Sequence, residues 1–93
     1  MLSLDQRAVV PKDVMIRGVG GESVVLNLAT ETYFGLDELG TRIWNALHAG
    51  MTLEQACHSL SREYAVDIQT LRADVSALIE DLVRHGLLEL TPA

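Results

Sequence analysis

The chain reads as an α+β fold in which a three-stranded antiparallel sheet precedes three helices. Three observations predict it. The hydrophobic period changes from two to about 3.6 near residue 37. Turn-forming residues at Gly20-Gly21 and a polar break across Ala29-Thr30-Glu31-Thr32 split the first part into short runs. Asp37, Thr52 and Asp67 each stand just before an amphipathic stretch, where helix caps belong.

Val14-Met15-Ile16-Arg17-Gly18-Val19 is the first β-rich run, closed by the glycine pair. The second is Val24-Val25-Leu26-Asn27-Leu28. Alternation puts Val24, Leu26 and Leu28 on one face, with Val25 and Asn27 on the other. After the polar break comes Tyr33-Phe34-Gly35-Leu36, the third. Short links between sequential strands favour an antiparallel meander. Three strands do not close a barrel, so the outer edges stay free for another chain to extend unless something covers them.

The helical half follows. Asp37 caps a helix carrying Leu39, Ile43, Trp44 and Leu47 that ends near Gly50. Thr52 and Gln55 have capping-box spacing and open a helix with Leu53, Ala56, Cys57, Leu60 and Tyr64 on one face. Asp67 caps the longest helix, with apolar positions Ile68, Leu71, Val75, Leu78, Ile79, Leu82 and Val83, which Gly86 ends. Leu87-Leu88-Glu89-Leu90 fits a final turn or a short strand. This order suits a winged helix-turn-helix type of domain, a single unit over residues 1–93.

Composition narrows the function. Ninety-three residues, 48% of them hydrophobic, build one modest core. Thirteen acidic against seven basic side chains give a net charge of −6, which disfavours nucleic acid and anionic membranes. The N-terminus lacks the pattern of a signal peptide, and no apolar run reaches the ~18 residues of a membrane span. A single cysteine forms no internal disulfide, and a reducing cytoplasm is the expected setting.

Catalytic and metal readings find little support. Cys57 and His58 are adjacent, about 100° apart on a helix, and cannot chelate one ion together. Cys57 shares the apolar face with Ala56 and Leu60, the place of a buried structural thiol. No CxxC, HExxH or acidic loop is present, so no metal, cofactor or catalytic residue is expected. Gly18, Gly20 and Gly21 lack the Lys-Ser/Thr of a phosphate loop and read as turn residues. Trp44 reads as a core anchor. A DNA-reading third helix needs cations, yet residues 67–85 carry Asp67, Asp74, Glu80 and Asp81 against Arg72 and Arg84.

The longest helix has more apolar surface than docking requires. Its apolar positions span roughly 140°, from Leu78 round to Val83, where about 100° suffices. The flank Leu71–Leu78–Leu82 then either borders a groove, with Asp74, Asp81 and His85 as its polar rim, or is buried with the rest of the arc in a small core, and the arc alone does not decide between them.

The run Val24-Val25-Leu26-Asn27-Leu28, followed by Thr30, Tyr33-Phe34, Leu36, Gly40 and Ile43-Trp44, resembles the PqqD-like proteins, or RiPP recognition elements. The later Leu71-Arg72-Ala73-Asp74-Val75, with Leu78, Leu82 and Gly86-Leu87-Leu88, resembles them too. The likeness runs from about Pro11 to Leu90 and is greatest to the stand-alone leader-binding proteins of lasso-peptide clusters. PqqD proper usually carries a tryptophan in the second strand, where this chain has Val24-Val25-Leu26. The resemblance implies a non-catalytic module that captures the leader of a ribosomally made precursor by strand addition. It further implies presentation to a leader peptidase and an ATP-using cyclase. The implied contacts are Glu31, Thr32, Tyr33, Phe34, Gly35 and Leu36 on the strand side, and Leu71, Asp74, Val75, Leu78 and Leu82 on the helix. An acidic rim of Asp74 and Glu31 is expected to meet basic or hydroxyl groups of the leader. The exposed face of the second helix (Glu54, Gln55, His58, Ser61, Arg62) is one candidate surface for the enzymes. A precursor chaperone of pyrroloquinoline quinone synthesis and a transcription factor are the alternatives.

Overall fold

The structure is a computed structural model that describes residues 4–91. Five strands and three helices follow one another as β1 (Arg7–Val9), β2 (Val14–Val19), β3 (Glu22–Asn27), β4 (Thr32–Leu36), α1 (Glu38–His48), α2 (Leu53–Tyr64), α3 (Ile68–Arg84) and β5 (Glu89–Thr91). The expected antiparallel sheet is present in the order β2-β3-β4, with Val25 opposite both Ile16 and Phe34. A second, two-stranded sheet joins β1 to β5, so three strands is an undercount. Arg7-Ala8-Val9 is too short to show a period. It becomes a strand because the end of the chain lies beside it, with Ala8 opposite Leu90.

Gly20 and Gly21, at φ +59° and +89°, make the two-residue turn between β2 and β3. Both need left-handed backbone, which matches the twist of the flanking strands and which glycine adopts without strain. All three predicted caps form. Asp37 accepts the Gly40 N–H, Thr52 and Gln55 close a reciprocal capping box, and Asp67 accepts from Gln69 and Thr70. Each satisfies N–H groups that the first helical turn otherwise leaves without partners.

The sheet lays one face on the helices. Val14, Val25 and Leu36 from that face join Ile43, Trp44 and Leu47 of α1, Leu53, Ala56, Cys57 and Leu60 of α2, and Leu71, Val75, Ile79 and Leu82 of α3. Leu87 and Leu88 close the core beneath β5. Ser23 is buried in the same face, where its hydroxyl lies 2.7 Å from that of Thr41 and ties β3 to α1. Before β1, Leu4 and Gln6 accept N–H bonds from Glu54 and Leu53, strapping the N-terminal segment to α2.

Two details depart from the sequence pattern. Leu28 leaves the strand for the β3–β4 turn and is 62% exposed. The face of β3 that is buried is the one carrying Ser23, Val25 and Asn27, not the one carrying Val24 and Leu26. Hydrophobicity alone favours the latter, but the glycine turn fixes the pleat, and register decides.

Candidate functional site

β4 is an edge strand. It pairs with β3 on one side, and no described strand pairs with the other, so its free N–H and C=O groups form a row that another chain can complete. Phe34 and Leu36 point to the helix side, while Tyr33 and Gly35 point away with Leu26 and Val24. α3 supplies the opposite wall. A pocket of about 350 Å³ lies between the two, lined by Gly35, Leu36, Leu39, Ile43 and Leu78, with Asp37 and Asp74 in its wall.

The two walls are held at a fixed spacing by Asn27. This side chain is 8% exposed and stands where the inward face of β3 ends. Its Nδ2 donates to the carbonyl of Gly86 at the end of α3 (3.0 Å), and its Oδ1 accepts the N–H groups of Ala29 (2.9 Å) and Thr30 (3.1 Å). One amide thus braces the turn that leads into β4 and ties it to the far end of the helix wall. Every polar atom of the group is matched, as burial requires.

At that same end, the Phe34 ring lies 5.8 Å from the ring of His85, tilted by 58°. His85 Nδ1 sits 2.7 Å from the carbonyl of Asp81. A carbonyl only accepts, so Nδ1 carries the proton in this contact. Asp81 also pairs with Arg84. Two acids, Asp37 and Asp74, line the Leu36 end of the cleft, while His85 stands against Phe34 at the other.

The residues expected to line the groove separate into three sets. Thr32, Phe34, Gly35, Leu36, Asp74 and Leu78 border the cleft or its edge. Leu71, Val75 and Leu82 do not, because each is fully buried. The flank Leu71–Leu78–Leu82 is thus core apart from Leu78, since the centre of the apolar arc sinks between α2 and the sheet while its two ends, Leu78 and Val83, stay partly out. The third set faces elsewhere. Tyr33 is 71% exposed on the outer face, and Glu31 occupies the β3–β4 turn at φ +59°, at the opposite end of β4 from Asp74. Asp74 and Glu31 do not share a rim. α1 contributes Asp37, Leu39 and Ile43 instead, which the sequence presents as an ordinary cap and core face.

Cys57 is buried in the core, and burial pushes its thiol above the ordinary range, reinforced by the Glu54 carboxylate and opposed by Arg72. Glu54 itself is held by Arg72 of α3 (2.9 Å) and by His58 one turn along α2 (3.3 Å). Among the described residues no cluster of His, Cys, Asp and Glu is placed to hold a metal, and no helix is long and apolar enough to cross a membrane.

The sequence model of the family described as coenzyme PQQ synthesis protein D (PqqD) matches residues 22–88. The chain belongs to the PqqD family. That match runs from β3 through Leu88 and so contains β4, α3 and the whole cleft, while β1, β2 and β5 lie outside it. Two solved structures are similar to this PqqD-family chain. TbiB1 in complex with the TbiA(beta) leader peptide is 36% identical, with 86% of this chain and 93% of that one covered and a TM-score of 0.80. Lasso peptide synthetase B1 complexed with the leader peptide is 19% identical, with 89% and 98% covered and a TM-score of 0.82; that likeness concerns the fold. No curated protein matches the chain.

Proposed function

We propose that this chain is a non-catalytic capture module for the leader segment of a ribosomally made precursor peptide, of the lasso class. The observation that carries the reading is the free edge of β4 running beside an apolar pocket on α3. A peptide laid along β4 gains main-chain hydrogen bonds that set its register. Its alternate side chains face the pocket and supply selectivity. Ordering such a segment costs on the order of 2–5 kcal/mol. Burial offsets that cost at roughly 25 cal/mol per Å² of apolar surface. The likeness to TbiB1, which is solved with a leader peptide, supports this reading at 36% identity.

The outer face of the sheet is the surface assigned to the leader peptidase. Met15, Leu26 and Tyr33 lie side by side there, next to Val24, and Val19 at the sheet's end is 74% exposed. A captured leader extends this same face by one strand beyond Tyr33, so an enzyme seated on it meets module and peptide together. Tethering then raises the concentration of the rest of the precursor at the peptidase and, by the same logic, at the cyclase. The arrangement of helices and wing-like sheet is the winged helix-turn-helix type, turned to peptide capture in the cytoplasm instead of DNA reading. The acidic α3 opposes phosphate contacts.

A second reading, a precursor chaperone in pyrroloquinoline quinone synthesis, draws on the description of the matching family. Calorimetric titration separates the two. The leader of a precursor encoded beside the gene is expected to bind one-to-one with a negative heat-capacity change. Binding of a quinone-pathway precursor in its place favours the second reading, and binding of neither removes both.

A further inference from the structure

Gly35 stands where its own chain has no use for a glycine. It lies inside β4, opposite Val24, and a glycine weakens the interior of a strand. Its φ is outside the left-handed range, and a Cβ placed on it meets nothing within 4 Å beyond its chain neighbours. The missing side chain would project onto the outer face of the sheet, with Val24 and Tyr33. There the bare backbone floors a dent of about 360 Å³. Val19 and Val24 form its apolar walls, and Glu22 and Asp37 stand at its rim. One Asp37 oxygen is already taken, accepting the Gly40 N–H at 2.7 Å. The dent therefore lies over β2 and β3, behind the free edge and apart from the cleft between β4 and α3. On the far side of Val24 is Arg17, exposed and paired with no acid among the described residues.

We infer that this dent is the socket for one aromatic side chain of the leader peptidase, and that Arg17 receives a carboxylate of the same enzyme. A ring can lie flat on the bare backbone of a strand glycine, as aromatic neighbours do within sheets. Tyr33, 71% exposed, stands beside the glycine and offers the ring a tilted aromatic contact. Tyrosine or tryptophan fits best, since the O–H or N–H reaches the Glu22 carboxylate at the rim. Tyrosine, methionine and arginine are the residues that interface cores favour, and Tyr33, Met15 and Arg17 share this face. A leader captured on β4 borders the dent from the opposite side to Val24, so the enzyme that fills it touches module and peptide at once. The inference rests on the reading of the outer face as the peptidase surface, and adds the partner's chemistry and the point of contact.

The test is cleavage of the precursor by the peptidase encoded beside the gene, with precursor in excess and the full chain titrated in. The chain is wild type, Gly35→Ala, Gly35→Val, Val24→Phe or Arg17→Glu, and calorimetry gives the leader affinity of each. The concentration for half-maximal stimulation is expected to rise roughly threefold for Gly35→Ala and roughly tenfold for Gly35→Val and Val24→Phe, which fill the socket. Val24→Phe and Arg17→Glu should bind leader as wild type does. Arg17→Glu should also need roughly tenfold more protein, and one acid-to-lysine variant of the peptidase should restore it. Gly35→Ala should keep or raise the urea midpoint. A lower midpoint means the chain itself needs the glycine, and overturns the socket. Filled-socket variants that stimulate like wild type, where Leu26→Ser does not, overturn the socket and leave the outer face to the peptidase. If Leu26→Ser stimulates like wild type too, the peptidase surface itself is overturned. Loss confined to leader affinity gives the dent to the peptide and overturns the socket, and Arg17→Glu without effect or rescue removes the ion pair.

Discussion

The two faces of the β2–β3–β4 sheet carry similar numbers of apolar residues and meet opposite fates. The inner face, with Ile16, Val25, Phe34 and Leu36, packs on the helices, and its two buried polar members, Ser23 and Asn27, have partners on α1 and at the end of α3. The outer face, with Met15, Val24, Leu26 and Tyr33, packs on nothing described. The inner face therefore answers for stability, while the outer one, on the proposed reading, is where the peptidase docks. The edge strand β4 belongs to both, since Phe34 looks one way and Tyr33 the other.

The sharpest way to break the contrast is a charge on each face. Val25→Asp should cost about 4 kcal/mol or more, enough to unfold a domain of this size, because a carboxylate enters a dry core without a partner. Urea denaturation of the variant checks this, and a native-like midpoint would contradict the assignment of the buried face. Next comes Asn27→Asp, which keeps the oxygen that accepts from Ala29 and Thr30 but cannot donate to Gly86. A loss of about 1–3 kcal/mol is expected, together with weaker leader binding as the cleft walls lose their tie. Equal binding at unchanged midpoint would show that the brace is dispensable.

A smaller effect comes from Cys57. Its thiol is raised in the folded chain, so the unfolded chain releases the proton first. Stability is then full below the ordinary thiol pKa of about 8.5 and declines as pH rises above it. Denaturation midpoints measured across that range should fall for wild type and fall less for Cys57→Ala, and parallel curves would remove the effect. Smallest for stability is Leu26→Ser on the outer face, within about 1 kcal/mol of wild type. Leader affinity should persist while stimulation of the peptidase drops. A large loss of stability would mean that the outer face is structural after all.

Much of this was legible in the residues. Caps at Asp37, Thr52 and Asp67 are local chemistry, and the glycine pair between β2 and β3 carries its own conformational reason. Leu71, Val75 and Leu82 were misplaced because a helical wheel gives the width of an apolar arc, not how deep its neighbours press into it. Only Leu78, at the arc's end, keeps part of its surface in the cleft. β1 depends on β5, some eighty residues away, and no local pattern announces such a pair. Asn27 did leave a signal, a polar side chain at an inward position of a strand. Its meaning needs Gly86 beside it.

The most direct test of the central claim is amide hydrogen exchange of the full chain with and without the leader encoded beside the gene. Strand capture predicts slowed exchange within Thr32–Leu36, where the free edge gains partners, and at the Leu78 turn of α3. Saturating leader that leaves β4 exchanging as before, with protection on α2 or nowhere, would contradict it.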